Sequence, residues 1–293
     1  MPARVWTALA GLITVLLVAV VGLDQWQARR GEASLFGLPW RASPSPAASA
    51  PVLPRPKELS PPPAATPSPG RAGALRIAVI VDDLGARRDV FDGLREIRRP
   101  LTVAVLPGLP LSEWTAREAT QSGMEVLLDL PMEPYRYPEV DPGPGALLMA
   151  MTSQELQTQM GAHLASVPGA VGVTNHMGSR MTEDRARMRT VLDVMAGRRL
   201  FLVDGLTSNL SVAYDEAKAQ GLRAGRRQVT VDHIAGEAGD RVRWDEVAWW
   251  AEKRGEVIVI AHGHPLTGRL LREYVPRWEA RGMRLVPVSQ LAR

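Results

Sequence analysis

The chain has 293 residues, of which 45% are hydrophobic and 23% are charged, so it can bury a sizeable core and is neither disordered throughout nor collagen-like. It contains no cysteine, which excludes a disulfide framework, a thiolate metal site and a cysteine nucleophile. The formal net charge is +4, but residues 73–293 hold 28 basic and 28 acidic residues, a balance that does not support nucleic-acid binding. Any metal ligand must therefore be His, Asp or Glu.

The first predicted element is an apolar stretch over Val5–Leu23, nineteen residues without a charged side chain. A helix of this length crosses the roughly 30 Å of hydrocarbon in a bilayer, so we predict a single transmembrane anchor within residues 1–24. A cleaved signal peptide is the alternative, but its apolar part would be unusually long. Arg4 precedes the stretch, while Arg29 and Arg30 follow it, so positive charge does not fix its orientation.

A proline-rich linker is predicted over residues 25–72. Within it, residues 42–72 include ten prolines, with Ser, Ala and Gly between them and few large apolar side chains. Such a composition cannot bury a core and favours the extended polyproline II conformation, which makes a semi-rigid spacer. We therefore predict one folded domain, over residues 73–293.

From about residue 75 onward, short runs rich in Val, Ile and Leu alternate with longer segments of helical period. The predicted strands, in chain order, are Arg76–Val81, Thr102–Leu106, Glu125–Leu130, Val171–Thr174, Leu200–Val203, Gln228–Val231, Val257–Ala261 and Arg284–Val288. The predicted helices between them are Arg87–Ile97, Ser112–Ser122, Ser153–Val167, Glu183–Ala196, Val212–Gln220, Trp244–Lys253 and Arg269–Ala280. This alternation is typical of an α/β fold with a parallel sheet and helical crossovers.

Two architectures fit this alternation: an open doubly wound sheet and a closed or nearly closed barrel. An open nucleotide-binding sheet usually has a glycine-rich turn after its first strand, but that strand here ends in Asp82-Asp83-Leu84-Gly85. The sequence contains neither a dinucleotide fingerprint nor a P-loop. The segment Pro131–Leu148 is rich in proline and polar residues, which indicates a long loop over one end of the sheet.

Acidic and histidine side chains repeatedly follow the predicted strands, at their carboxyl ends. These residues are Asp82, Asp83, Asp129, Glu133, His176, Asp204, Asp232, His233, His262 and His264. In a parallel barrel the carboxyl ends of the strands meet on one face, where active sites of this architecture are assembled. Asp129, Asp232 and His233 are explained as well by turns or helix caps as by a site. The adjacent carboxylates of Asp82 and Asp83 repel unless a cation or a proton separates them, so this pair indicates a site.

The histidine candidates are His176 and the two imidazoles of the AHGHP segment. His176 lies just after a predicted strand and before a predicted helix. In AHGHP, the central glycine and the final proline indicate a turn that exposes one ring, so we favour His264 and leave His262 open. A divalent cation held by Asp and His would activate a water and polarise a carbonyl. With a second carboxylate as base and a histidine as acid, the set predicts metal-assisted hydrolysis of an amide or ester.

Five short segments follow one another along the chain: IVDDLG, LLDLPMEP, TNHMGSR, FLVDGLTS and IAHGHP. In this order they resemble the divergent polysaccharide deacetylases, a branch of the carbohydrate esterase superfamily that includes chitooligosaccharide deacetylases. The similarity extends over Arg76–Leu291, essentially the whole predicted domain. The resemblance implies a distorted (β/α) barrel of about seven parallel strands, a bound divalent metal, usually zinc, and a cell-envelope setting.

The resemblance also implies roles for individual residues. Asp82 matches the catalytic base of the family, Asp83 its metal-binding aspartate and His176 its first metal histidine. His264 matches the histidine near the last strand that acts on the leaving group. Ordinary deacetylases place a second metal histidine four residues after the first, where this sequence has Arg180.

The arginine at this position has three alternative consequences. A fixed cation in place of a neutral ligand weakens divalent binding, unless another group such as Asp204 completes the coordination. Arg180 could instead bind a carboxylate or phosphate of the substrate, or it could form a structural ion pair with Asp204, which we favour. Glu133 and Asp232 are expected to support the site or bind substrate.

The sequence therefore predicts a membrane-tethered, metal-dependent hydrolase that removes acetyl groups from envelope polysaccharide or peptidoglycan sugars, at a carbon–nitrogen bond that is not a peptide bond. The alternative is a non-catalytic envelope module, in which a degenerate site binds a glycan or a protein partner. The resemblance further implies a bacterial-type inner membrane, with the C-terminal domain in the periplasm or outside the cell. Nucleic acid is not an expected partner.

Overall fold

The computed structural model describes residues 74–232 and 236–293. The predicted anchor over Val5–Leu23 and the predicted linker lie outside these residues, as does His233. Among the residues described, no helix combines the length and the apolar composition needed to cross a bilayer.

Strands and helices alternate along the described chain. The strands are β1 (Leu75–Leu84), β2 (Thr102–Val105), β3 (Glu125–Met132), β4 (Gly172–Met177), β5 (Phe201–Asp204), β6 (Ala224–Arg226), β7 (Val229–Thr230), β8 (Glu256–His262) and β9 (Met283–Leu285). The α-helices are α1 (Arg88–Arg95), α2 (Ser112–Gln121), α3 (Ser153–Ser166), α4 (Arg185–Gly197), α5 (Ala213–Ala219), α6 (Glu237–Arg254) and α7 (Pro265–Ala280). Short 3-10 helices lie at Met181–Glu183 and Val288–Gln290.

Each predicted strand and helix corresponds to an observed element, but several bounds differ. Strands β1, β3 and β4 extend beyond their predicted ends, so Asp82, Asp83 and His176 lie within strands rather than after them. The last strand is shorter than predicted, because its end is a 3-10 helix. Helices α6 and α7 begin earlier than predicted, at Glu237 and Pro265, and β6 was not predicted. Proline suits the first position of a helix because its φ is already helical and its missing N–H would have no partner there, so Pro265 begins α7. The three residues of β6 are Ala, Gly and Arg, a composition that carries no strand signal.

All neighbouring strands are parallel, in the order β6-β5-β4-β3-β2-β1-β8-β7, and β9 pairs with the start of β1. Only Arg227 and Gln228 join the two edge strands β6 and β7. Arg227 N–H donates to Asp204 O of β5, and Gln228 N–H donates to Ile258 O of β8. One bent segment therefore links both edges, and the sheet curls as in a distorted barrel. The described residues form nine strands, more than the seven or so that the resemblance implies. The bent segment contains two short strands, β6 and β7, and β9 pairs with β1 beside the main strand order.

Strand side chains alternate between two apolar layers, one on each face of the curled sheet. The outer layer packs between the sheet and the helices, with Val79 of β1 against residues such as Phe91 of α1. The inner layer contains no α-helical residue and consists of Ala78, Ile80, Ala104, Leu127, Phe201, Val203, Ile258, Ile260, Val286, Val288, Leu291 and Ala292. Residues 286–292 thus fill the inside of the sheet near the amino ends of its strands.

The predicted loop over Pro131–Leu148 is observed only after residue 132, and both of its ends are fixed to the sheet. Strand β3 continues through Met132, which pairs with Leu147. Leu147 N–H donates to Pro131 O at 2.8 Å, and Glu133 N–H donates to Leu147 O at 2.9 Å. The loop therefore leaves from and returns to the carboxyl end of β3, beside the predicted site residues.

Candidate active site

The carboxyl end of β1 carries Asp82 and Asp83 on an irregular stretch of strand. Between Val81 and Leu84 the register advances by three residues on β1 but by only two on β2. Asp83 lies at this bulge with a left-handed φ of 57°. Because adjacent residues of a regular strand point to opposite faces, the bulge is what allows both carboxylates to enter one cluster.

Three side chains from strands β1, β3 and β4 of the sheet form the ligand group: Asp83, Asp129 and His176. One potential ligand atom from each residue lies within 4.8 Å of the others. His176 Nδ1 is 2.7 Å from Asp83 Oδ1 and 4.0 Å from Asp129 Oδ2. The backbone N–H of Asp83 also donates to Asp129 Oδ2 at 3.0 Å. Asp83 and His176 therefore lie together, as expected, and their role as ligands stays a prediction.

Burial and mutual charge shift the pKa values of these carboxyl groups. Burial raises the pKa of Asp129 to about 7, and it also raises the pKa of Asp82, with the charge of Asp129 adding to the effect. Burial opposes ionisation of Asp83 and His176 as well. The contact between the two side chains and the charges around them together outweigh burial, so the pKa of Asp83 is lowered and the pKa of His176 is raised.

A second set of atoms joins β1 to β8. Oxygens of Asp82 and Asp83 and a ring nitrogen of His262 all lie within 4.8 Å of one another. His262 Nδ1 is hydrogen-bonded to Asp232 Oδ1 at 2.7 Å, which leaves Nε2 as the ring nitrogen available to the carboxylates. The hydrogen bond to Asp232 raises the pKa of His262 to about 10, against the effect of burial. We call Asp232 and His262 the Asp–His pair.

The residues at this end of the barrel fit a divalent metal. Asp82 Oδ1 and Asp129 Oδ1 are buried and have no hydrogen-bond partner in the described part of the chain. A buried carboxylate oxygen without a partner is destabilising, and a bound cation would remove that penalty. Three Asp or His ligands with one open position form the usual donor set of a catalytic zinc site. The ligand group supplies such a set.

Arg180 pairs with Glu133, so the expected ion pair between Arg180 and Asp204 is wrong. Arg180 Nη1 lies 2.8 Å from Glu133 Oε1, and Glu133 Oε2 accepts the backbone N–H of Met149 at 2.7 Å. Glu133 is buried, whereas the Arg180 side chain is 53% exposed. The buried carboxylate therefore holds one edge of a guanidinium whose remainder faces solvent.

Asp204 belongs to neither set of clustered ligand atoms among the described residues. Its Oδ1 accepts the N–H of Leu206 at 2.8 Å, and its Oδ2 accepts the hydroxyl of Ser211 at 3.1 Å. Arg226 Nε lies 3.4 Å from the same Oδ2. The carboxylate thus holds the turn after β5. The third member of the ligand group is Asp129 and not Asp204.

His264, which the sequence favours, lies outside both sets, whereas His262 belongs to the second set. His264 is exposed at the N-cap of α7, where its Nδ1 accepts the N–H of Leu266 at 3.2 Å. Strand β8 continues through His262, so the turn begins only after that residue. Asp232 contacts the ring of His262, and its role in supporting the site stays a prediction.

Gly263 sets the distance between the ends of β8 and β1. Its N–H donates to Asp82 O at 2.9 Å, and a Cβ at this position would lie 2.9 Å from that oxygen and 2.7 Å from Leu84 Cδ2. We expect Gly263→Ala to push His262 away from Asp82 and to lower the free energy of unfolding by about 1–3 kcal/mol. Denaturant unfolding measures the loss. A Cβ at Gly93 meets nothing within 4 Å, so Gly93→Ala is the control, and equal stability of both variants would contradict this reading.

The domain combines a curled parallel sheet with a cluster of Asp and His side chains at the carboxyl ends of its strands. The family model of the divergent polysaccharide deacetylases matches residues 79–292, and the chain belongs to this family. The uncharacterized protein YibQ of Escherichia coli K12 is 33% identical over 208 residues, which cover 71% of this chain and 64% of YibQ. The match therefore spans less than two thirds of the length of that relative.

Two further proteins are similar to this chain. An uncharacterized protein of Haemophilus influenzae Rd is 27% identical over 197 residues, which cover 67% of this chain and 70% of that protein. The crystal structure of the uncharacterized protein ATU2773 from Agrobacterium tumefaciens C58 superposes with a TM-score of 0.71 at 24% identity. That superposition covers 77% of this chain and 92% of ATU2773, and it shows a common fold.

Proposed function

We propose that this chain is a metal-dependent hydrolase that removes acetyl groups from N-acetylated sugars of envelope polysaccharide or peptidoglycan. The observation that carries the proposal is the ligand group, in which Asp129 is buried and Asp83 and His176 are half-buried, beside Asp82 and the Asp–His pair at one end of the barrel. Membership of the divergent polysaccharide deacetylase family supports a glycan as substrate. The bond broken is a carbon–nitrogen amide bond that is not a peptide bond.

Asp83, Asp129 and His176 would hold the divalent metal, for which zinc is the first candidate. When bound, the metal would lower the pKa of a coordinated water and polarise the acetyl carbonyl. The three side chains project from paired strands, so the sheet rather than a loop sets their spacing.

Asp82 would act as the general base that takes the proton of the attacking water. Its side chain is buried, and Oδ1 has no hydrogen-bond partner in the described residues, so this oxygen can accept a proton. Burial, together with the charge of Asp129, raises the pKa of Asp82. A raised carboxyl pKa suits a base that must take and release a proton near neutral pH.

His262 would act as the general acid that donates a proton to the leaving amine. With a pKa raised to about 10 by the hydrogen bond to Asp232, its ring carries both protons at neutral pH. Asp232 holds Nδ1, so the proton on Nε2 is the one available for donation. The pair therefore supplies an oriented acid opposite the base Asp82.

The second candidate function is binding of a glycan or a protein partner at the same site without turnover. It is favoured by Arg180, a half-exposed cation where ordinary deacetylases have a neutral metal ligand. In that case Arg180 would contact an anionic group of the bound molecule, with Glu133 fixing its guanidinium.

The two candidates are distinguished by measuring bound metal and released acetate with the purified full chain. We expect acetate release from N-acetylglucosamine oligomers or peptidoglycan fragments, and a loss of about 10²–10⁴-fold in Asp82→Asn at unchanged metal content. Asp89→Asn, at an exposed carboxylate of α1, is the matched control. Glycan binding by the metal-loaded parent without any acetate release would favour the second candidate.

We also propose that Asp129 sets the metal preference. Carboxylate oxygens suit Mn²⁺ and Mg²⁺, whereas imidazole suits Zn²⁺, so Asp129→His should raise the ratio of Zn²⁺ to Mn²⁺ affinity by about tenfold. Competition titration of the two ions measures this ratio. Asp141→His, on the exposed loop, adds a histidine away from the ligand group and should leave the ratio unchanged.

The proposed setting is the periplasm, with the domain tethered to the inner membrane by the apolar stretch Val5–Leu23. A reporter that is active only outside the cytoplasm, fused after Arg293, should then be active in cells. A cytoplasmic reporter fused at the same point should be inactive, and the opposite pattern would contradict the proposal.

A further inference from the structure

The end of the barrel opposite the candidate active site carries a concentration of positive charge, which we call the basic end. Its ten exposed lysines and arginines lie in the loops that lead into strands, in the last turn of α6, in β9 and beside β6. They are Arg98, Arg99, Arg198, Arg199, Arg223, Lys253, Arg254, Arg281, Arg284 and Arg293. Five of the loops or turns that enter the sheet thus contribute charge of the same sign.

Carboxylates at the same end balance only part of this charge. They are Glu96, Glu125, Glu252, Glu256 and Glu279. Within the described chain, Arg198, Arg199 and Arg284 form no ion pair, so their charge faces solvent. Residues 73–293 are formally neutral, which means that positive charge at this end is matched by negative charge elsewhere, including the buried aspartates of the site.

Two tryptophans lie beside the basic end, near the end of α6. Trp249 and Trp250 pack edge to face with ring centroids 4.9 Å apart, and both are partly exposed. Lys253 Nζ lies 4.6 Å from the Trp249 centroid, and Arg254 Cζ lies 4.9 Å from the Trp250 centroid. Tryptophan next to Lys and Arg is typical of surfaces that lie in the headgroup region of a bilayer.

The described chain enters the barrel at this same end. The N–H of Arg76, at the start of β1, donates to Gly255 O in the turn after α6 at 3.1 Å. The sequence before this point contains the apolar stretch Val5–Leu23 that predicts a membrane anchor. The carboxyl ends of the strands, and with them Asp82 and the ligand group, lie at the other end of the sheet.

We propose that the basic end binds the anionic headgroup surface of a lipid bilayer, with Trp249 and Trp250 at headgroup level and the candidate active site facing away from the membrane. Attraction to anionic lipid acts over about 8–10 Å, so it requires many cations presented together at one end, as they are here. The cations over the two indole rings leave less open ring face for stacking with bases, which favours lipid over nucleic acid. The proposal is independent of whether the site is catalytic.

A fluorophore on a single introduced cysteine tests which end meets the membrane, because the chain has no cysteine of its own. Gln290→Cys places the label at the basic end, and Leu210→Cys places it at the active-site end, where Leu210 is 70% exposed. With the full chain on bilayers containing about one third phosphatidylglycerol and a headgroup quencher, we expect about threefold stronger quenching of the Gln290 label. The difference should shrink on phosphatidylcholine alone and in about 1 M salt.

Matched charge variants complete the test. Arg198→Gln with Arg199→Gln should reduce the difference between the labels at least by half, because it removes cations from the basic end. Arg87→Gln with Arg88→Gln makes the same change in net charge at the other end, at the start of α1, and should leave the difference unchanged. Equal quenching of both labels, or the same quenching without anionic lipid, overturns the proposal. So does binding of an oligonucleotide by the basic end without lipid-dependent quenching.

Discussion

Replacing Asp83 by asparagine is expected to lower the affinity of the protein for a divalent metal by about 100-fold or more. Asp83 is the one residue shared by both sets of clustered ligand atoms, and it lies 2.7 Å from His176 Nδ1. An amide at this position is neutral and a much weaker metal ligand than a carboxylate. Release of acetate should fall with the bound metal. Elemental analysis and a metal titration of the purified full chain measure the effect.

The Asp83→Asn variant should still fold, which makes the result interpretable. Asparagine tolerates the left-handed φ of 57° at this position about as well as aspartate does. The control is Asp204→Asn, which alters a buried aspartate at the same end of the sheet that lies in neither set. It should lower the free energy of unfolding by about 1–3 kcal/mol while metal affinity stays at the parental level. Parental affinity in Asp83→Asn would show that the ligand group is wrong.

The second large effect is expected at the Asp–His pair. His262→Ala should lower the rate of acetate release by about 10²–10⁴-fold at every pH, because the leaving amine loses its proton donor. Bound metal should be unchanged, since His262 is not in the ligand group. His264→Ala is the matched control and should cost only about 1 kcal/mol of stability through loss of the helix cap. Loss of activity in His264→Ala but not in His262→Ala would show that His264 is the proton donor, as the resemblance implies, and that the assignment to His262 is wrong.

The pH dependence of Asp232→Asn tests the same pair in another way. An acid must be protonated to work, so activity is lost as the pH rises through the pKa of His262. The hydrogen bond to Asp232 raises that pKa to about 10 in the parent, and without the carboxylate it should fall toward the ordinary value of about 6.5. The alkaline limb of the pH–rate profile should therefore move to lower pH. An unmoved limb would mean that another group donates the proton.

Most of the fold could be predicted from the sequence because strands and helices here have apolar patterns of distinct period. The exceptions are short or irregular. Strand β6 has three residues and meets β7 through Arg227 and Gln228 only, so nothing local indicates that this bend joins the two edges of the sheet. That arrangement depends on hydrogen bonds to β5 and β8, which are distant in sequence.

The candidate site was only partly predictable, because β3 and β8 are apolar on both faces and the sequence does not show which face is the inner one. Leu127 points to the inner layer, and Asp129 follows it by two residues on the same strand. Ile260 and His262 have the same relation on β8, so the alternation marks both polar residues as inward-facing. From the sequence alone, Asp129 is explained as well by a turn, and the glycine and proline after His262 indicate a turn there.

Other features of the site could not be read from the sequence. The bulge that turns Asp83 into the cluster is visible only in the register of β1 against β2. The partner of Arg180 is Glu133, 47 residues away, and their contact depends on the path of the loop after β3. A pairing of this kind is set by tertiary structure, since either residue alone would fit an exposed surface.

The position of β1 has a consequence for synthesis of the protein. This first strand pairs on one side with β8, with Arg76 and Glu256 in contact across 180 residues of chain, and residues 286–292 fill the inside of the sheet. Parallel pairing over such a separation closes slowly. During synthesis, the edge of β1 that pairs with β8 therefore stays unpaired until almost the whole chain has left the ribosome. Nascent chains that lack β8 and β9 are then the species most prone to aggregate and most in need of a chaperone.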